Sequence, residues 1–212
     1  MSQFTSVNEK VVSVTLGGEE VYARQGSMIA YTGDVSFARS FLGNGGVQNM
    51  AMRAATNEGI ALMTARGKGE VFYAHRGRHV KVITLRGDML CVESDSILAF
   101  DAQLRAGTMF LGGQGLKSLV GGVATGQGLF TSTFEGNGDV AILSDGDAIG
   151  LEVSPARPIF VDPQAYLCHS GQLTSSIVSD VNWKTLIGQA SGESYQMKLS
   201  GTGTVYIQAS ER

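Results

Sequence analysis

Short stretches in which apolar and polar residues partly alternate recur along the chain, among them Val11-Val12-Ser13-Val14-Thr15-Leu16, Val80-Lys81-Val82-Ile83-Thr84-Leu85 and Thr204-Val205-Tyr206-Ile207-Gln208. A period near two sends successive side chains to opposite faces of a pleated strand, and the β-branched content favours that backbone, so each stretch predicts a half-buried strand. Gly17-Gly18, Gly33-Asp34, Gly87-Asp88, Asn137-Gly138 and Asp145-Gly146 supply the positive φ that tight hairpin turns require. All three prolines, Pro155, Pro158 and Pro163, fall in one segment. Proline cannot donate to a strand ladder, so that segment predicts an edge or irregular strand. One helical candidate remains, at about 180–189, with Trp183, Leu186 and Ile187 on one face and Ser179 as its cap.

The pattern repeats. At an offset of 69 positions Phe41, Leu42, Gly43 and Gly46 fall on Phe110, Leu111, Gly112 and Gly115, and Gly67, Gly69 and Val71 fall on Gly136, Gly138 and Val140. Ile29-Ala30-Tyr31 aligns in the same phase with Leu98-Ala99-Phe100 and with Leu167-Cys168-His169. Self-matching at one offset marks repeated supersecondary units. Gly201-Thr202-Gly203-Thr204-Val205 carries the Gly-x-Gly-x-Val spacing once more, which places the last strand beside the N-terminal unit. The expected organisation is one all-β domain over 1–212, with units at roughly 1–66 plus 201–212, 67–135 and 136–200. Such a closure hides an edge that otherwise invites pairing with other chains.

Composition narrows the functional classes. The chain has 212 residues, 43% of them hydrophobic and 17% charged, with 29 glycines, a balance that suits turns and strands more than exposed helix. A formal net charge of −3 provides no positive field for phosphates, so no nucleic acid partner is expected. Apolar runs fall short of the roughly 20 residues that span a bilayer, and the first residues lack a signal pattern. Cys91 and Cys168 stand apart in apolar stretches, without Cys-x-x-Cys spacing, as buried reduced thiols would. A cytoplasmic location is the expectation.

Gly26-Ser27-Met28-Ile29-Ala30-Tyr31-Thr32-Gly33-Asp34-Val35, the Gly-Asp-x-Leu of Gly87 to Leu90, Ile97-Leu98-Ala99-Phe100-Asp101, Gly126-Gln127-Gly128-Leu129-Phe130 and Val161-Asp162-Pro163 together resemble the altered-inheritance-of-mitochondria 24 family. The resemblance runs from about residue 21 to 211. It implies a fold similar to that of the tryptophan RNA-binding attenuation protein, with three β-rich units in a pseudo-threefold, sandwich-like or double-stranded β-helix-like arrangement. It implies no reaction, and a shared fold does not transfer RNA binding. Equivalent positions of the units also lack the repeated Lys or Arg that such binding needs.

Candidate chemistry is sparse. His75 and His79 bracket Arg76-Gly77-Arg78, a turn whose two cations make a poor metal site. His169 aligns with Tyr31 and Phe100, as a shape-filling residue with a polar handle would. Asp34, Asp88, Asp139, Asp145 and Asp147 mostly stand beside glycine, where a carboxylate holds a turn. No serine lies in Gly-x-Ser-x-Gly, and Leu111-Gly112-Gly113-Gln114-Gly115 lacks the Lys-Ser/Thr ending of a phosphate loop. No catalytic residue, cofactor or metal is therefore expected, and the chain reads as non-enzymatic.

Two features stand out. Residues 106–130 are glycine-rich and apolar, with Lys117 as their only charge. They form either small packed strands or an exposed surface of Phe110, Leu111, Leu116, Leu119, Val120 and Val123 for self-association, a protein partner or a membrane face. Arg76 and Arg78 occupy turn positions that Asp145 and Asp147 occupy one unit later, so opposite charges would pair if units of different copies met head to tail. The expectation is a homo-oligomeric assembly or interaction protein. The alternative is a small-molecule binder with a cleft between units.

Overall fold

The computed structural model of the chain describes residues 2–40, 61–111, 129–178 and 196–209. The described residues form twelve strands: β1 (Gln3–Asn8), β2 (Val11–Arg24), β3 (Met28–Ser40), β4 (Leu62–Tyr73), β5 (His79–Glu93), β6 (Ile97–Asp101), β7 (Arg105–Leu111), β8 (Leu129–Ser144), β9 (Ile149–Val153), β10 (Ile159–Val161), β11 (Tyr166–Val178) and β12 (Gln196–Ile207). A 3-10 turn at Ser94–Ser96 is the only helical element among the described residues, none of which forms a helix able to cross a membrane. The helical candidate at 180–189 lies outside them. The fold is all-β, as the alternation predicts.

The strands form one antiparallel sheet in the order β10-β12-β11-β5-β8-β6-β2-β4-β3, with β1 on β2, β7 on β8 and β9 on β12. It is not a closed barrel, because β10 and β3 end the order. Three central strands, β4, β8 and β12, are each flanked on both sides: β4 by β2 and β3, β8 by β5 and the pair β6 and β7, and β12 by the pair β9 and β10 and by β11. The terminal strand β12, expected beside the N-terminal unit, therefore pairs with β9, β10 and β11. The Gly-x-Gly-x-Val strand of the N-terminal unit is β4, which carries Gly67, Gly69 and Val71.

Local sequence explains where strands bend. The β2·β4 ladder slips between Gly17 and Glu20, and the β5·β8 ladder slips between Arg86 and Met89, at the same 69-residue spacing. Gly18 and Gly87 adopt φ of 120° and 89° at these slips, a conformation that glycine adopts without strain. In the last group the corresponding segment holds Pro155 and Pro158 and leaves β9 and β10 as separate strands, the irregular edge predicted from the prolines.

Three clusters of buried side chains lie along the sheet. Val12, Val14, Val71 and Tyr73 pack with Leu98 and Leu143; Leu90, Phe100, Phe134 and Ile142 pack with Leu167; Val153, Val161, Tyr166, Met197 and Leu199 pack with Val205. Each large apolar side chain so buried contributes about 1.5–3 kcal/mol relative to exposure. Tyr73 is fully buried, yet its hydroxyl has no hydrogen-bond partner among the described residues, and burial raises its titration above the ordinary phenol range. An unpaired buried hydroxyl costs about 1–3 kcal/mol. Tyr73→Phe should leave the midpoint of thermal unfolding unchanged or raise it by a few degrees. A clear fall would mean that the hydroxyl has a partner.

Candidate functional site

Two junctions hold the three strand groups together, and they share one register. At the first, Val21, Tyr22 and Ala23 of β2 pair with Asp101, Phe100 and Ala99 of β6. At the second, Leu90, Cys91 and Val92 of β5 pair with Ser170, His169 and Cys168 of β11. Every partner in the second lies 69 positions beyond its counterpart in the first. The middle pair of the first is aromatic, with Tyr22 stacked on Phe100 at 5.3 Å between ring centroids and 24° between planes.

The middle pair of the second junction brings Cys91 opposite His169, and both are buried. Tyr166 Oη donates to the Cys91 carbonyl at 3.1 Å and lies 2.7 Å from His169 Nδ1. A phenol has one proton to give, so it accepts from Nδ1, which fixes the neutral imidazole with its proton on that nitrogen. Burial lowers the His169 pKa to about 4. Burial, with a smaller contribution from Glu135, lifts the Cys91 thiol to about 11, and burial raises Cys168 as well. A buried thiol kept protonated is a poor nucleophile. This trio fills space and satisfies hydrogen bonds.

Asp101, at the edge of the first junction, is 2% exposed. It accepts from the Asp139 backbone N–H at 2.7 Å and from the Ser2 hydroxyl. Burial, opposed by the hydrogen bond from Asp139, lifts its pKa to about 6.

The charged turns meet within the chain. Arg78 Nε lies 2.8 Å from Asp145 Oδ1, and Arg78 also reaches the Asp95 carbonyl at 3.3 Å. Arg24 joins it there, bonding the carbonyls of Asp95 at 2.8 Å and Ile97 at 3.0 Å. Arg76 is exposed at the tip, with φ of 49°. His79 Nε2 is 3.4 Å from Glu9 and 3.8 Å from Asp147. His75, whose pKa is lowered by burial and by Arg24, Arg76 and Arg78, faces cations. Among the described residues no three His, Cys, Asp or Glu are grouped to hold a metal. A shallow depression of about 280 Å³ is lined by His79, Val80, Lys81, Ser144, Asp147 and Ala148.

Of the apolar candidates, Phe110 and Leu111 belong to β7, where they pair with Phe130 and Leu129 of β8. Leu116, Leu119, Val120 and Val123 lie outside the described residues. The large exposed apolar side chains among the described residues are Val7 on β1, Ile149 on β9, and three on the two strands that end the sheet order. Ile29 and Tyr31 on β3 are 57% and 48% exposed, and Phe160 on β10 is 54% exposed. Among the described residues, β3 pairs only with β4 and β10 only with β12. Sequence reasoning did not single these residues out. The available signal was the alignment of Ile29-Ala30-Tyr31 with two segments that are buried in the junctions.

The sequence profile of the family described as mitochondrial biogenesis AIM24 matches residues 3–210. Among solved structures, the chain is similar to an X-ray structure of a protein from Streptococcus pyogenes, with 21% identity and a TM-score of 0.72, covering 100% of this chain and 94% of that one. No curated protein matches significantly.

Proposed function

The chain belongs to the mitochondrial biogenesis AIM24 family, and from that premise we propose that it is a non-enzymatic assembly protein acting through the open strand edges of its sheet. The observation that carries this reading is the pair of terminal edges, β3 and β10, with Ile29, Tyr31 and Phe160 exposed on them. An exposed edge presents unpaired N–H and C=O groups that another strand satisfies, and the adjacent apolar side chains lose contact with water when it does. That recognition suits a protein partner rather than a lipid surface. Cys91, His169 and Asp101 are buried at the junctions, an arrangement that supports the non-enzymatic reading.

Light scattering over a concentration series into the millimolar range tests the reading. The mass should rise above that of one chain, and Tyr31→Lys, which sets a charge on the edge, should lower it. A wild-type mass equal to one chain throughout would sink self-assembly. A second reading, a small-molecule binder, draws on the depression beside His79 and Lys81. It predicts a thermal shift with small anions that His79→Ala removes.

A further inference from the structure

The junction register found twice inside the chain defines a third pairing that the described strands leave unmade. One more step of 69 positions along β2 and β5 reaches Ile159, Phe160 and Val161, which are the whole of β10. The strand that aligns with β6 and β11 is β3, where residues 30–32 match 99–101 and 168–170. The missing junction is therefore Ile159 opposite Thr32, Phe160 opposite Tyr31 and Val161 opposite Ala30. Among the described residues both edges are open, and they lie at opposite ends of the sheet order.

We propose that β10 of one copy of this chain pairs with residues 30–32 of β3 in a second copy, in the register of the two internal junctions. This rests on the assembly reading above and adds to it the partner and the register. Four observations converge on it. The middle pair is Phe160 with Tyr31, two aromatic rings, as Tyr22 with Phe100 is in the first junction. The counterparts of Tyr31 are buried where their junctions exist, with Phe100 at 3% and His169 at 2%, whereas Tyr31 itself is 48% exposed. β10 has three residues and sits between Pro158 and Pro163, which donate no backbone hydrogen bond; each internal junction is likewise three pairs long. β3 runs for 13 residues without a proline or a lysine to blunt it.

The contact joins different surfaces of the two copies, so it is heterologous, and repetition closes a ring or extends a filament. Three residue pairs alone make a weak contact. Ring closure strengthens it, because each added copy then binds at both of its edges.

The test uses full-length chains carrying Tyr31→Cys or Phe160→Cys, both at exposed positions, with thermal unfolding to check that each variant is folded. Residues directly opposite across a ladder lie within disulfide reach. Under mild oxidation the two variants mixed should give a covalent dimer as the main product, and neither alone should. Three outcomes overturn the proposal: a dimer from Tyr31→Cys alone, which means that like edges meet; an intrachain bond in the doubly substituted monomer, which means that the chain closes on itself; or no bond in any mixture. Light scattering of the wild type distinguishes the two levels. An oligomer without the cross-link removes only this register, whereas a wild-type monomer removes the assembly reading with it.

Discussion

Gly69→Ala and Gly203→Ala should each destabilise the protein by about 4 kcal/mol or more, enough to leave much of the chain unfolded at 37 °C. These two glycines occupy the same position in β4 and β12. A Cβ on Gly69 would run into the Thr32 carbonyl oxygen, with Val35 Cγ2 at 3.0 Å, and a Cβ on Gly203 would run into the Ser170 carbonyl oxygen, with Leu173 Cγ at 3.1 Å. The obstacles are mainly backbone atoms of the adjacent strands β3 and β11, which cannot move aside without breaking the ladder. Gly18→Ala is the control. Gly18 has φ of 120° but no atom of the described residues within 4 Å of an added Cβ, so only local strain of about 1–2 kcal/mol applies. Urea unfolding of the three variants separates the effects. Equal losses at all three positions would show that close strand approach is not what these glycines provide.

In the middle group the equivalent of Gly33 and Gly171 is Ala102. The chain turns out of the ladder at Ala102 and Gln103, leaving β6 and β7 as two strands where β3 and β11 each run unbroken. Gly138 there meets side-chain atoms of Asp101 and Leu104 rather than a facing backbone.

The strands and most of their turns were legible because both signals are local. Alternation at Val11–Leu16 or Val80–Leu85 and glycine at position 18 or 87 act within a few residues of where they stand. The proline cluster likewise marked its own strand as irregular. What the sequence did not show is which edge meets which. Ile29-Ala30-Tyr31 resembles Leu98-Ala99-Phe100 in kind, yet one is exposed on an open edge and the other buried in a junction, because burial depends on the presence of a partner strand. The placement of β12 and the Arg78–Asp145 contact are long-range for the same reason. Opposite charge at equivalent turns was visible from the repeat, but composition does not say that the two turns come from one chain.

Stability should be nearly flat between pH 4 and pH 6 in the wild type where Asp101 and His169 are concerned, because their contributions have opposite signs. Asp101 titrates at about 6 in the folded chain against 3.8 for the ordinary carboxyl, so the folded state holds its proton more tightly. Its stabilisation is complete below pH 4 and is lost as the pH rises through 6. His169 titrates at about 4 against 6.5, so the unfolded chain binds the proton more tightly. Its stabilisation is present above pH 6.5 and is lost as the pH falls through 4. Each shift corresponds to about 3 kcal/mol across its window at about 1.4 kcal/mol per unit. Substitution should uncover each slope in turn. Asp101→Asn keeps an acceptor for the Asp139 N–H and a partner for Ser2 without titrating, so this variant should lose about 3 kcal/mol relative to its own value at pH 7 on going to pH 4. His169→Asn retains a donor towards Tyr166 and should show the reverse, gaining stability towards pH 4 even if the smaller side chain lowers the whole curve. Urea midpoints measured at intervals from pH 4 to 7 decide it through the slope alone. Parallel curves for both variants and the wild type would mean that neither buried group carries a shifted proton affinity, and the burial assigned to the two junctions would then be wrong.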